Sequence, residues 1–285
     1  MTDSLRDPST LSRLVRVDTS CGRITAAVHG TTGPYVLLLH GIPGSRGSWD
    51  AIAPALAESC RVIVPDLLGF GESIPRNGPH HIRGQADGIA TLLKELGADT
   101  YHLVGFDFGG PIAVTLSLHD PGRCLSLVLL ATNVFTDTPI PAPLKLASIP
   151  LIGDLWFRML FGSVGLKLLW HAAVRVKQQF PKHVYLRTLH PAQNITTTRQ
   201  IFLLSMRDLR GLYREVHSAL SRVRVPATVV WGDGDPFFPI PIGQAVAAQI
   251  PHSRLIVLNG CGHFIPQEKP AEVISILRAQ ICPPL

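Results

Sequence analysis

The sequence is poor in charge and in cysteine, and it has no long apolar run. Charged residues make up 16% of the 285 positions and hydrophobic ones 46%. A disordered chain is thereby excluded, and a large core is expected. The five Cys, at positions 21, 60, 124, 261 and 282, are odd in number and form no CxxC pair. Neither a disulfide framework nor a zinc site is expected, because Cys261 and His263 alone fall short of four ligands. No metal or cofactor is expected, and a reduced, cytoplasmic protein is the default. Uncharged stretches such as 237–253 contain Pro, Gln and His. None is an apolar segment of about 18 residues, so no transmembrane helix and no stable membrane insertion is expected. The opening MTDSLRDPST carries two acids and no apolar core, and no signal peptide is expected there. The 25 Gly and 24 Pro follow no period, which excludes a collagen-like chain.

Charge is unevenly spread. Residues 134–225 hold 13 Lys and Arg against 4 Asp and Glu, a local +9, while the remainder is −3 and the whole chain +6. Such a segment could meet nucleic acid, anionic lipid or an acidic substrate. No nucleic-acid motif accompanies it, so a solvated basic surface is the expectation and nucleic acid is not an expected partner.

The apolar pattern predicts alternating strands and helices. Residues 13–29 read as two opening strands with Gly22 at the turn. Tyr35–His40, Arg61–Pro65, Tyr101–Gly105, Leu125–Ala131, Ala227–Trp231 and Arg254–Leu258 are apolar runs of the kind buried on both faces of a parallel sheet. Helices are expected at Ser48–Cys60, His81–Leu96, Gly109–His119, Ile240–Ile250 and Ala271–Ile281. Residues 134–210 break the rhythm with amphipathic stretches such as Leu151–Val176. The expected layout is a core of residues 1–133 and 211–285 with a helical cap at 134–210.

Chemistry concentrates in loops that follow strands. Gly105-Phe106-Asp107-Phe108-Gly109 lies between a buried strand and a helix and has the form of a nucleophile elbow with Asp in the central place. The helix start offers Asp107 a positive dipole end that favours its ionised form. His40-Gly41-Ile42-Pro43 follows another strand and can aim the Ile42 N–H at a developing oxyanion, with the Phe108 N–H as second donor. Trp231-Gly232-Asp233-Gly234-Asp235-Pro236 and Gly260-Cys261-Gly262-His263-Phe264 put acids and a His on two later loops. The chain order is nucleophile, acid, His. A His supplies a base near neutral pH and an acid fixes its tautomer.

These motifs, with Asp66–Ser73 (DLLGFGES), resemble the α/β-hydrolases over nearly the whole length. The resemblance implies a mostly parallel central sheet with helices on both faces and an inserted helical cap. The elbow resembles the subgroup with an Asp nucleophile, the epoxide hydrolases and haloalkane or haloacetate dehalogenases. It implies Asp107, Asp235 and His263 as the catalytic set, with Asp235 preferred to Asp233, and Ile42 and Phe108 as oxyanion donors. Asn133, where some dehalogenases carry the acid, lacks the charge.

A carboxylate gains little by attacking an ester, since it makes an anhydride. Attack on an sp³ carbon gives an alkyl ester that water can cleave. An epoxide leaves as an alkoxide and needs a proton donor, for which a Tyr phenol is suited; Tyr185 and Tyr213 lie in or beside the expected cap. A halide wants N–H donors. Neither Phe108 nor Ile42 has a donating side chain, Phe108 and Pro111 offer no Arg for a haloacetate, and His-Gly-Ile-Pro fits the HGxP loop of epoxide hydrolases. Trp156 and Trp170 could serve a halide or simply pack. Epoxide opening on a small apolar substrate with water is therefore the leading expectation, halide release the second, and a non-catalytic ligand-binding protein of the same fold the third.

Overall fold

The computed structural model describes residues 12–78, 81–136, 145–149, 152–189, 195–207 and 209–281. The opening ten residues and Cys282 lie outside them. Nine strands form one sheet: β1 (Ser12–Thr19), β2 (Gly22–His29), β3 (Tyr35–Leu39), β4 (Arg61–Pro65), β5 (Ile74–Pro75), β6 (Tyr101–Phe106), β7 (Cys124–Leu130), β8 (Ala227–Gly232) and β9 (Ser253–Leu258). Their order is β1-β2-β4-β3-β6-β7-β8-β9, with β5 paired to β2. β2 runs antiparallel to its neighbours, and every pair from β4 to β9 is parallel.

The period of two along each strand splits the core into two layers. Leu37, Leu39, Leu103, Leu127 and Leu129 face one layer, with α2 (Ile82–Glu95) and α3 (Gly109–His119). Val36, Leu38, Val104, Val128 and Leu130 face the other, with α1 (Ala53–Leu56). Both faces are covered, which explains why the central strands read as continuous apolar runs rather than alternating ones.

Between β7 and β8, which are neighbours in the sheet, come α4 (Gly153–Leu160), α5 (Ser163–Ala173), α6 (Lys182–Leu189), α7 (Ile195–Arg207) and α8 (Leu209–Leu220). The boundary expected after residue 210 falls inside α8. Tyr213, Val216 and Leu220 of that helix pack in the same layer as α3. The chain ends in α9 (Ile240–Gln249), α10 (Ile265–Glu268) and α11 (Pro270–Ile281).

Two expected helices are broken. Over Ser48–Cys60 the Ser45 hydroxyl accepts the Gly47 N–H, so a short 3₁₀ turn begins at Arg46, and α1 starts anew at Ala53. Pro54, which has no N–H to donate, interrupts a continuous helix there. Leu151–Val176 divides into α4 and α5 because Gly162 is extended, with φ −79° and ψ 176°.

The crossing of β6 and α3 leaves no room for side chains. A Cβ on Gly105 would stand 2.5 Å from the Gly109 carbonyl oxygen and 2.7 Å from the Gly110 Cα. Both obstacles are backbone and cannot rotate away. Gly105→Ala is expected to lower the unfolding free energy by about 1–3 kcal/mol, the usual cost of overpacking, as read by urea denaturation. An unchanged midpoint would contradict this packing.

Candidate active site

Four loops converge at the carboxyl edge of the parallel strands, where open α/β sheets bind ligands. Asp107 follows β6 and adopts φ +50°. That left-handed backbone is costly for a residue with a Cβ, by about 1–3 kcal/mol, and its surroundings hold it in place. Its N–H donates to Leu130 O at 3.0 Å, and its carbonyl accepts Gly110 N–H at 3.0 Å and the Thr132 hydroxyl at 2.6 Å. The turn lifts the Asp107 carboxylate over the sheet edge.

One oxygen of that carboxylate, Oδ1, accepts the Ile42 N–H at 2.7 Å. The other, Oδ2, lies 3.7 Å from Nε2 of His263. A Cβ on Gly41 would come within 2.5 Å of Asp107 Oδ1, so the β3 loop needs glycine there to approach so closely. His40 secures the same loop. Its Nδ1–H donates to the Gly41 carbonyl at 2.9 Å and its Nε2 accepts the Leu67 N–H at 2.9 Å. Burial pushes the His40 pKa down, which suits a neutral ring with these two roles.

His263 turns its Nδ1 to Asp235 Oδ2 at 2.8 Å. The other oxygen of Asp235 accepts the N–H groups of Phe237 and Phe238, at 2.8 and 3.1 Å. Asp233 is exposed and accepts only the Cys261 N–H, at 3.3 Å. Asp235 is thus the acid beside His263. Burial opposes charge on His263, but Asp235 and Asp107 outweigh it and raise its pKa to about 10. Four rings surround the imidazole: Phe106, Phe237, Phe238 and Phe264, with centroids 5.0–5.5 Å away.

Of the two phenols, Tyr213 is the one whose proton the charge of Asp107 helps to hold. Burial raises its pKa first, and the negative charge of Asp107 raises it further. Tyr185 is raised by burial alone. It is fully buried, packed on Phe180 and Phe264, and its hydroxyl has no hydrogen-bond partner among the described residues. The indole N–H of Trp170 donates to the Phe180 carbonyl at 2.9 Å, which fits the packing role that was one of its two readings. Trp156 is half-buried on α4. Phe108 is buried at the start of α3.

Sequence reasoning missed Glu268. Its carboxylate is buried and accepts four backbone N–H groups: Arg175 at 2.7 Å, Val176 at 2.9 Å, Gly262 at 3.1 Å and Phe264 at 3.1 Å. It ties the segment after α5 to both neighbours of His263. The only sequence signal was an acid five residues after the candidate His, at the end of a helix too short to detect by period.

The model of the alpha/beta hydrolase family matches residues 36–276. The chain belongs to that family. It is 27% identical over 247 residues to 2-hydroxy-6-oxononadienedioate/2-hydroxy-6-oxononatrienedioate hydrolase 2 of Pseudomonas putida, covering 84% of each chain. Among solved structures it resembles haloalkane dehalogenase DbeA from Bradyrhizobium elkani, with TM-score 0.78, 20% identity and coverage of 95% and 97%. It also resembles epoxide hydrolase CorEH, with TM-score 0.75, 22% identity and coverage of 96% and 99%. At such identities these two structures speak for the fold.

The raised pKa of His263 links the site to stability. A protonated imidazole favoured by the fold contributes stability that is fully present below about 6.5, the ordinary His value. That contribution is lost as pH rises through about 10. The thermal midpoint is expected to fall over that window. Asp107→Asn, which removes one of the two carboxylates, should flatten the fall and move the His263 titration seen by NMR down by about one unit or more. The same titration in both proteins would contradict the coupling.

Proposed function

We propose that this alpha/beta hydrolase opens a small apolar epoxide to a diol through an ester on Asp107. The observation that carries the reading is the placement of a carboxylate, held by the Ile42 N–H and faced by His263, at the turn after β6. A carboxylate there is suited to an sp³ carbon rather than to an acyl group.

Asp107 attacks a ring carbon, the C–O bond breaks, and the oxygen takes the proton of Tyr213. An alkoxide is far more basic than a phenolate, even one raised by burial, so this transfer runs downhill. Esterification removes the charge of Asp107. That charge had been raising both Tyr213 and His263. Its loss makes the phenol a better acid and drops the affinity of His263 for its proton, which reprotonates the phenolate. Neutral His263 then takes a proton from water as it adds to the ester carbonyl. The tetrahedral oxyanion sits on the Asp107 oxygen that faces the Ile42 N–H, with the Phe108 N–H as second donor. Collapse passes the His263 proton to the departing diol oxygen, and the re-formed acid of Asp107 returns its proton to His263. Epoxide and water are consumed, diol is released, and every residue is restored.

In this reading α4–α8 form a cap over the site, and Phe106, Phe237, Phe238 and Phe264 give it a dry wall that suits an apolar substrate. A halide reading finds no free donor in Trp170, whose indole N–H goes to the Phe180 carbonyl.

His263→Gln is expected to stop turnover but leave the alkylation step, so mass spectrometry should find substrate attached to the peptide that contains Asp107. Full multiple turnover by that variant would falsify the ester mechanism.

The reaction itself is tested by a parallel assay of styrene-type epoxides and bromoalkanes. Diol formation is expected, with a loss of at least about 10²-fold in Tyr213→Phe, the size typical of general-acid catalysis. Bromide release without epoxide turnover would assign the halide reaction instead. Fast cleavage of an ordinary ester that depends on Asp107 would overturn the argument for an sp³ carbon.

A further inference from the structure

The outer faces of α4 and α5 are apolar where water should meet polar groups. Ile152, Leu155 and Met159 recur at spacings of three and four, and Val164 and Leu168 at four, so each set lies along one side of its helix. They are 57, 64, 57, 71 and 66% exposed. The opposite sides carry the packing: Phe157 of α4 and Leu166, Trp170 and Ala173 of α5 are buried. The five exposed side chains are therefore surplus to the core. Soluble monomers seldom gather large apolar side chains on adjacent exposed faces unless something binds there.

The charge around them is mostly positive, and the one acid, Asp154, is paired with Arg158. Residues 145–182 hold six Lys and Arg against one Asp. Exposed Lys167 lies between Val164 and Leu168 on the outer side of α5, and exposed Arg158 beside Met159 on α4. Exposed Lys177 and Lys182 lie beyond the end of α5, over the Trp170 ring, and add to the positive field without bordering the apolar face. A second copy of the chain would bring this positive surface against itself. Nucleic acid would answer the charge but leave five aliphatic side chains facing phosphate and water. A surface with acyl chains beneath anionic headgroups answers both.

We propose that the outer face of α4 and α5 docks the protein on an anionic lipid bilayer. Ile152, Leu155, Met159, Val164 and Leu168 enter the boundary between headgroups and acyl chains, and the surrounding Lys and Arg meet lipid phosphates. The attachment is peripheral, because no helix among the described residues is long and apolar enough to cross a membrane. The inference stands apart from the proposed reaction, since none of these side chains belongs to the candidate active site.

Vesicle flotation tests it directly. The protein is expected to rise with vesicles of phosphatidylcholine mixed with phosphatidylglycerol, to stay behind with phosphatidylcholine alone, and to be released by high salt. Each basic residue near such a surface is worth about 1 kcal/mol, so Lys167→Glu should weaken binding by about tenfold or more. Leu155→Glu with Leu168→Glu should abolish binding while the thermal midpoint stays close to that of the parent, because both side chains are exposed. Absence of flotation with the mixed vesicles overturns the proposal, as does equal binding to both lipids. A dimer in sedimentation velocity that the double Leu→Glu change dissolves, without lipid binding by the parent, would assign the face to a second copy instead.

Discussion

The negative charge of Asp107 is the constraint around which the rest of the site is arranged. It sits on a left-handed residue, under one backbone N–H and against one imidazole, in a setting that excludes most water. Low dielectric makes each of these interactions count for more than it would on the surface. Two other titratable groups, His263 and Tyr213, have their protons held more tightly because of it. Under the proposed chemistry a single event, esterification, resets both. No conformational change is needed to turn an imidazolium into a base, because the electrostatic partner that kept it protonated has become neutral. A Ser at the same turn would begin neutral and could exert no such control.

Holding that charge in place depends on buried polar groups that are fully satisfied. His40 bridges Gly41 and Leu67 and so fixes the loop that supplies the Ile42 N–H. Asp66 does a similar service one loop further on. It accepts the N–H groups of Arg46 and Glu72 at 2.8 and 2.9 Å and pairs with the Arg46 guanidinium. Asp235 spends one oxygen on His263 and the other on two backbone N–H groups, so its carboxylate cannot rotate without losing bonds. Such groups are costly to bury and are tolerated only when every partner is present.

Much of this was legible from residues alone. The strands buried on both faces announced themselves as apolar runs, and the four loops were marked by Gly beside a reactive residue, because only Gly allows the close approaches seen at Gly41 and Gly105. What was hidden depends on contacts between segments far apart in the chain. Asp233 and Asp235 look alike as residues; the family resemblance favours Asp235, and the turn geometry supplies the physical reason by facing it to His263. Whether Trp170 packs or offers its N–H was left open by the sequence, because the carbonyl that takes that N–H, at Phe180, lies ten residues away. Phe237 and Phe238 belong to no motif, and only the folded loop brings their rings to His263. The break at Pro54 was written in the sequence and was overridden there by the apolar period on either side.

Glu268 joins the two roles of the helices between β7 and β8. The inner side of α5 packs in the layer that contains Phe264, the neighbour of His263, and its outer side carries the exposed Val164 and Leu168. The chain leaving α5 donates two N–H groups to Glu268, and the loop bearing His263 donates two more to the same carboxylate. Hydrogen bonds to a buried charge are among the stronger ones, at about 1.5–3 kcal/mol each. Under the proposed function, a movement of α4 and α5 that admitted substrate would leave Arg175 and Val176 in place. If it displaced them, it would strip the carboxylate of partners and shift the loop that positions His263. Under that reading the chain leaving α5 stays tied through Glu268 to the loop that bears the imidazole, whatever the outer face of the same helix meets.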